Sequence, residues 1–180
     1  DLEVGRMIKQ LHAMDSFEDT VIFFLSDNGA SAELMVRGNG HAPEAAPGSA
    51  GSYLCLGPGW STVANTPFRK HKIWTHEGGS CTPLIVHWPK HISQHGEIRE
   101  TPGHVIDMVP TLLEVAGVKP PKQQVPFPGH SLLPSFEKET GNQRVLWWSH
   151  RGNHAVRDGD WKLVKSSDEP WELYHLKEDR

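Results

Sequence analysis

The sequence predicts an α/β fold that gives way to a small antiparallel sheet near residue 140, and three observations carry that expectation. Thr20 to Leu25 is a run of six apolar or β-branched residues without alternation, which suits a strand covered on both faces of a parallel sheet. The segment before it repeats its apolar residues at helical spacing. After residue 140 the pattern changes to short β-branched and aromatic runs broken by glycine turns.

Each element follows from its own residues. Leu2, Val4, Met7, Ile8, Leu11 and Met14 define an amphipathic helix over 2–14, closed by a turn over 15–19. The strand over 20–26 ends in Ser26-Asp27-Asn28-Gly29. Residues 37–66 are rich in glycine and proline without periodicity, so they read as a long loop, an active-site rim or a mobile segment. Leu84-Ile85-Val86 supply a second apolar strand over 83–88, closed by Pro89. Val105, Ile106, Met108, Val109, Leu112, Leu113 and Ala116 form the apolar side of a helix over 104–116, which Pro110 bends or divides by starting a second piece and Gly117 ends. A proline-rich connector covers 118–135. Val145–Ser149, Ala155–Arg157, Trp161–Val164 and Trp171–Tyr174 then read as an antiparallel meander, with turns at Gly152-Asn153 and Asp158-Gly159-Asp160. The domains expected are therefore 1–140 and 141–180.

Composition narrows the function classes. At 37% hydrophobic and 22% charged residues, the chain reads as globular and soluble. A net charge of −4 offers no basic surface for nucleic acid. No apolar run approaches the ~20 residues of a membrane span. Asp1 opens directly onto the amphipathic segment, so no signal peptide is expected here, and the missing initiator Met suggests a fragment or processed piece. Two cysteines, Cys55 and Cys81, fix no redox compartment, and no disulfide between them is expected.

Read from chemistry alone, Asp27 and Asn28 place a carboxylate and an amide oxygen at the carboxyl end of a strand, where ligands of open α/β sheets sit. Such hard oxygen donors suit Ca²⁺ or Mg²⁺, although a capping turn explains them equally well. Gly29 lets the chain turn away from the site. Lys72, beside Arg69, Lys70 and His71, reads as a solvated charge. His76-Glu77 begins a zinc-protease pattern, but Ser80 stands where its second histidine belongs and Gly78-Gly79 break the helix it needs. His104 and Asp107 share one helix face and read as capping groups. Trp60 and Trp74 flank the candidate site and are suited to stacking on sugar or aryl rings. His150 and Asn153, at a strand end, are candidates to line a pocket.

The order of motifs adds a resemblance. Ser26-Asp27-Asn28-Gly29 after a strand, then Lys72-x-x-x-x-Glu77-Gly78-Gly79-x-x-x-Pro83, resembles the sulfatase family. The likeness continues through His104-Val105-Ile106-Asp107-Met108-Val109-Pro110-Thr111, Ala116-Gly117, Ala155–Val164 and Trp171-Glu172-Leu173-Tyr174. It covers most of the chain apart from the loop near 37–59.

The resemblance implies an alkaline-phosphatase-like α/β sandwich, represented by the C-terminal part of its large domain, followed by a small antiparallel-sheet domain. It implies sulfate monoester hydrolysis, of aryl or carbohydrate substrates, with Asp27 and Asn28 as ligands of Ca²⁺ (Mg²⁺ being possible). Lys72 becomes a catalytic group on the substrate sulfate, and Trp60, Trp74, His76 and His150 become substrate-binding candidates. The formylglycine nucleophile is implied to lie upstream. Cys81-Thr82-Pro83 resembles its context only in part, because Ile85 replaces the required Arg, so Cys81 reads as packing. The isolated segment is then expected to be inactive and marginally stable. Secreted, periplasmic or lysosomal placement follows from the family alone, and the oligomeric state stays open. Two alternatives remain: a phosphatase or phosphonate hydrolase of the same superfamily, and a non-catalytic module binding sulfated glycans.

Overall fold

The computed structural model describes residues 1–36, 39–119, 126–141 and 144–179. The loop expected over 37–66 and the connector expected over 118–135 thus lie partly outside the described residues. The chain forms two compact units, Asp1–Leu25 with Leu84–Asn142 and Ser26–Pro83 with Gln143–Arg180.

In the first unit, α1 (Leu2–Ala13) realises the amphipathic pattern, and a 3-10 turn at Phe17–Asp19 leads into β1 (Ile22–Leu25). β1 pairs with β2 (Leu84–His87) antiparallel, Ile22 opposite His87 and Leu25 opposite Leu84. This corrects the parallel, doubly covered strand expected from the apolar run. The two strands form a sheet of their own, and Phe24 and Ile85 are each 57% exposed. An unbroken apolar run reports desire for burial; it carries no information on partner direction.

The predicted helix over 104–116 splits into a 3-10 turn, Val105–Asp107, and α4 (Met108–Val115). Pro110 falls in the first turn of α4, where its missing N–H costs nothing. The capping reading of His104 and Asp107 holds. His104 Nδ1 accepts from Ile106 N–H, and Asp107 Oδ2 accepts from His104 N–H at 2.8 Å. Asp107 Oδ1 also accepts from His130 N–H at 2.9 Å, so this fully buried carboxylate is occupied by backbone donors.

In the second unit, the four-stranded sheet runs β3 (Leu146–His150), β4 (Asn153–Asp158), β5 (Trp161–Lys165), β6 (Glu172–His175), all antiparallel neighbours in sequence order. The β3–β4 turn is Arg151-Gly152, one residue earlier than Gly152-Asn153. Both turn residues take positive φ, +49° and +79°, as a two-residue hairpin turn matching the strand twist requires. Strand register puts Leu146, Trp148, Asn153, Ala155, Val164, Lys162, Glu172 and Tyr174 on one face. Leu146, Ala155, Val164 and Leu176 are buried, and the core of this unit sits there.

Two helices escape the sequence pattern. α2 (Gly57–Asn65) lies inside the expected loop, entered by Gly57 at φ +70° with Pro58 in the first turn. α3 (Glu77–Ser80) is a single turn containing Gly78-Gly79, so the two glycines do not prevent helix there. One turn loses little by glycine's low propensity when its packing demands no side chain.

Candidate functional site

The segment after β1 is laced to two other parts of its unit. Thr82 Oγ1 donates to Ser26 O at 2.7 Å, and Ser26 Oγ donates to Asn28 O at 2.8 Å. Gly29 N–H donates to Gly79 O at 3.1 Å. A Cβ on Gly29 would stand 1.8 Å from Gly78 O, and one on Gly78 would stand 2.3 Å from the carbonyl oxygens of both Arg69 and Lys70. Three backbones therefore touch where a side chain would not fit.

Asn65, at the end of α2, joins the remaining pieces. Its Oδ1 accepts from Ala30 N–H at 2.9 Å, and its Nδ2 donates to Lys70 O at 3.1 Å. Lys72 N–H then donates to Ala30 O at 3.0 Å. The backbone of Lys72 is thus bonded two residues beyond Asn28. The two sequence-predicted metal ligands and the sequence-predicted cation belong to one bonded neighbourhood.

Asp27 is exposed and Asn28 half-buried, both in a bend after the strand. Lys72 is half-buried, and among the described residues its ammonium has no hydrogen bond or ion pair. Its neighbours differ: Lys70 Nζ contacts both Glu169 oxygens, at 2.8 and 3.0 Å, and Arg69 Nη1 contacts Glu172 at 3.1 Å. Among the described residues Lys72 is thus the unpaired cation of the three, a state compatible both with a solvated charge and with a group that binds an anion. Trp60 lies on α2 at 68% exposure, Trp74 is half-buried edge-on to His71, and His150 is exposed at the end of β3. His76 is only 3% exposed, so it is packed inside the unit and offers no open surface to a substrate.

His76 belongs to a charged cluster centred on β6. Its Nε2 lies 2.9 Å from Glu172 Oε2, Tyr174 Oη donates to the same oxygen at 2.8 Å, and Arg69 bonds Tyr174 as well. The His76 bond, with Tyr174 and Arg69 adding to it, outweighs desolvation and holds the Glu172 carboxyl down at about 2. Burial lowers the pKa of His76 in spite of the carboxylate. Both directions agree on a neutral imidazole donating Nε2–H to an ionised Glu172, which leaves the buried, unpartnered Nδ1 as a bare acceptor.

A second buried pair ties α3 to the sheet. Lys162 on β5 is 1% exposed, with Nζ 2.6 Å from Glu77 Oε1, 2.9 Å from Ser80 Oγ and 4.8 Å above the Trp148 ring. Desolvation lowers the Lys162 pKa against the pull of Glu77. Cys81 is exposed as a residue rather than packed as expected, but its thiol faces Glu77, and desolvation with that carboxylate pushes it up to about 11. Such a thiol is no nucleophile at neutral pH. Neither Cys55 nor Cys81 forms a disulfide.

Asp27 and Asn28 fit a hard divalent cation as part of its shell. They supply oxygen donors, and the Asp27 carboxylate has no ion pair among the described residues. Among the described residues no cluster of three or more His, Cys, Asp or Glu could complete such a site. The groups that sequence reasoning missed, Asn65, Arg69, Lys162 and Glu172, act by bonding distant backbone or charge. Their only local signal was polar character beside the Lys72 motif or within the last strands.

Comparison with known proteins bears on the same residues. The sulfatase family model matches residues 1–118, and the model described as N-sulphoglucosamine sulphohydrolase, C-terminal, matches residues 68–180. N-acetylgalactosamine-6-sulfatase of Mus musculus is 34% identical over 164 residues, covering 90% of this chain and 26% of that protein. An arylsulfatase of Klebsiella aerogenes is 31% identical over 136 residues, covering 68% of this chain and 28% of that protein. The crystal structure of Ps i-CgsB in complex with k-i-k-neocarrahexaose superposes with a TM-score of 0.72 at 26% identity, over 97% of this chain and 34% of that one. Phosphonate monoester hydrolase of Agrobacterium radiobacter shares the fold, with a TM-score of 0.60 at 18% identity over 99% of this chain and 33% of that one. The chain spans about a quarter to a third of the length of these relatives. With a family model matched across residues 1–118 and the strand-end and Lys72 motifs inside that range, the chain belongs to the sulfatase family.

Proposed function

We propose that these 180 residues form part of a sulfatase that hydrolyses sulfate monoesters of aryl or carbohydrate alcohols. The observation that supports this reading is the bond from Lys72 N–H to Ala30 O at 3.0 Å, which ties the backbone of Lys72 to the chain two residues beyond Asn28. Lys72 binds a terminal sulfate oxygen as a compact point charge and stabilises the negative charge that builds there as the ester bond breaks. Asp27 and Asn28 donate oxygens to a divalent cation, Ca²⁺ by preference, which supplies Lewis-acid polarisation of the sulfate when bound. The formylglycine nucleophile that the family resemblance implies would come from elsewhere in the protein, since neither Cys55 nor Cys81 sits in a Cys-x-Pro-x-Arg context. Trp60 and Trp74 are the stacking candidates for the alcohol part of the substrate. Family membership also favours placement outside the cytosol.

The test is hydrolysis of an aryl sulfate and a sulfated sugar by the full-length protein. Lys72→Ala is expected to lower kcat/KM by about 10²–10³-fold, the usual loss for one oxyanion donor. Asp27→Asn is expected to weaken Ca²⁺ binding in a calorimetric titration and to lower the rate with it. Unchanged turnover by Lys72→Ala would overturn the assignment. The 180 residues alone are expected to release no sulfate.

A further inference from the structure

We propose that Glu172 is a positioning residue of the proposed site, a clamp on the loop that presents Lys72. The inference rests on the sulfatase reading for the role of Lys72, while the clamp itself stands on this unit's geometry. Lys72 lies near the middle of the stretch 69–76. Glu172 holds both feet of that stretch with one carboxylate: Oε1 is 3.1 Å from Arg69 Nη1, and Oε2 is 2.9 Å from His76 Nε2. Tyr174, two residues on and on the same sheet face, bonds both Glu172 and Arg69.

The stretch between the feet needs such a hold. Lys70 and Ile73 stand at φ +66° and +92°, on either side of Lys72. The left-handed region is unfavourable for a lysine and worse for a β-branched isoleucine, and it persists only where surrounding contacts over-determine it. Lys70 is fixed by Asn65 at its carbonyl and by Glu169 at its ammonium. Ile73 O accepts from Asn153 Nδ2 at 3.4 Å. The loop thus has an enforced conformation whose unpaired cation is Lys72 among the described residues. An ionised Glu172 and a neutral His76, the states their surroundings favour, keep the clamp closed at neutral pH.

A group that only stabilises the fold and one that acts through Lys72 separate in a double-mutant cycle on the full-length protein, with Glu172→Gln, Lys72→Ala and their combination. Gln keeps the shape but cannot accept at both feet. The expected result is a loss of about ten- to 100-fold in kcat/KM for Glu172→Gln alone and no further loss in the Lys72→Ala background. An equal loss in both backgrounds, or none in either, overturns the proposal. Hydrogen exchange of the Lys72 and Trp74 amides is the second readout and needs no activity. They bond Ala30 O and His71 O, and faster exchange in Glu172→Gln, with the β4–β5 amides unchanged, supports the clamp. Unchanged exchange at Lys72 overturns it. If the wild-type protein hydrolyses no sulfate ester, the sulfatase reading fails and the exchange result alone decides the clamp. If Glu172→Gln does not fold, Arg69→Met cuts one foot at a half-exposed side chain and goes through the same cycle.

Discussion

Glycine at positions 29, 78 and 79 is demanded by contact, because none of the three takes a positive φ while each would drive a Cβ into a carbonyl oxygen. The obstructing atoms are backbone on both sides, so nothing can rotate away. Gly29→Ala is therefore expected to cost about 3 kcal/mol or more, the upper end for overpacking, read as a drop in the urea midpoint. It should also lower activity beyond the stability loss, since Gly29 adjoins Asn28. Glu172 gives a residue-scale prediction in pH. Its carboxyl is held at about 2 against an ordinary 4.5, so the stability it contributes is present above 4.5 and is lost as pH falls towards 2. His76 is depressed below its ordinary 6.5, so the fold is penalised as pH drops through that value. Arg69 and Tyr174 face the same pair, and each is held above its ordinary value, Arg69 by its bond to Glu172 and Tyr174 by burial. The urea midpoint should decline from about pH 6.5 downward and more steeply below about 4.5, and Glu172→Gln should flatten the lower limb; an unchanged lower limb would remove Glu172 from the account. Asp27, Asn28 and Lys72 could be named as candidates at this scale because each is a side chain in a local motif. Glu172 was not, because its meaning lies in two partners about a hundred residues away.

Among elements, the join between α3 and β5 depends on one pair, Glu77 with Lys162. Both charges sit away from water, and Lys162 also bonds Ser80 and stands over the Trp148 ring. Removing one partner leaves the other buried and uncompensated, at a cost of about 3–5 kcal/mol. Lys162→Met should thus be strongly destabilising, whereas Lys162→Met with Glu77→Gln should recover much of the loss. Thermal melts of the singles and the double measure this, and additive losses would show the pair to be independent. The meander that carries Lys162 was readable because a period of two and turn residues are local signals. The helix α2 was hidden by its Gly-Pro-Gly entry, and the antiparallel β1–β2 pairing by an apolar run that names no partner. The one-residue shift of the β3–β4 turn arose because Asn153, a favoured turn residue, is instead the first residue of β4, with its amide on His150 O and Ile73 O.

For the whole chain, family membership was legible from the order of four motifs, whereas burial was not, because an apolar residue in a strand pattern does not say what covers it. The outcome is visible in β1 and β2, where Phe24 and Ile85 present their side chains to solvent, and in α1, where Leu2 and Met7 do the same. The β1–β2 pair is a two-stranded sheet, which has little independent stability in water, and its apolar residues add to exposed edges. Apolar patches of this kind favour association. The 180 residues expressed alone are therefore expected to self-associate as concentration rises, with ANS binding and light scattering increasing together. Phe24→Ser with Ile85→Thr should reduce both signals, because these residues lie directly opposite each other in the register and share one face. A monomer at all concentrations, with a cooperative and reversible melt well above ambient temperature, would show that the strands need no further cover. In that case the absence of sulfate release expected of the isolated chain could not be blamed on misfolding, and would instead bear on the proposal that the nucleophile comes from elsewhere in the protein.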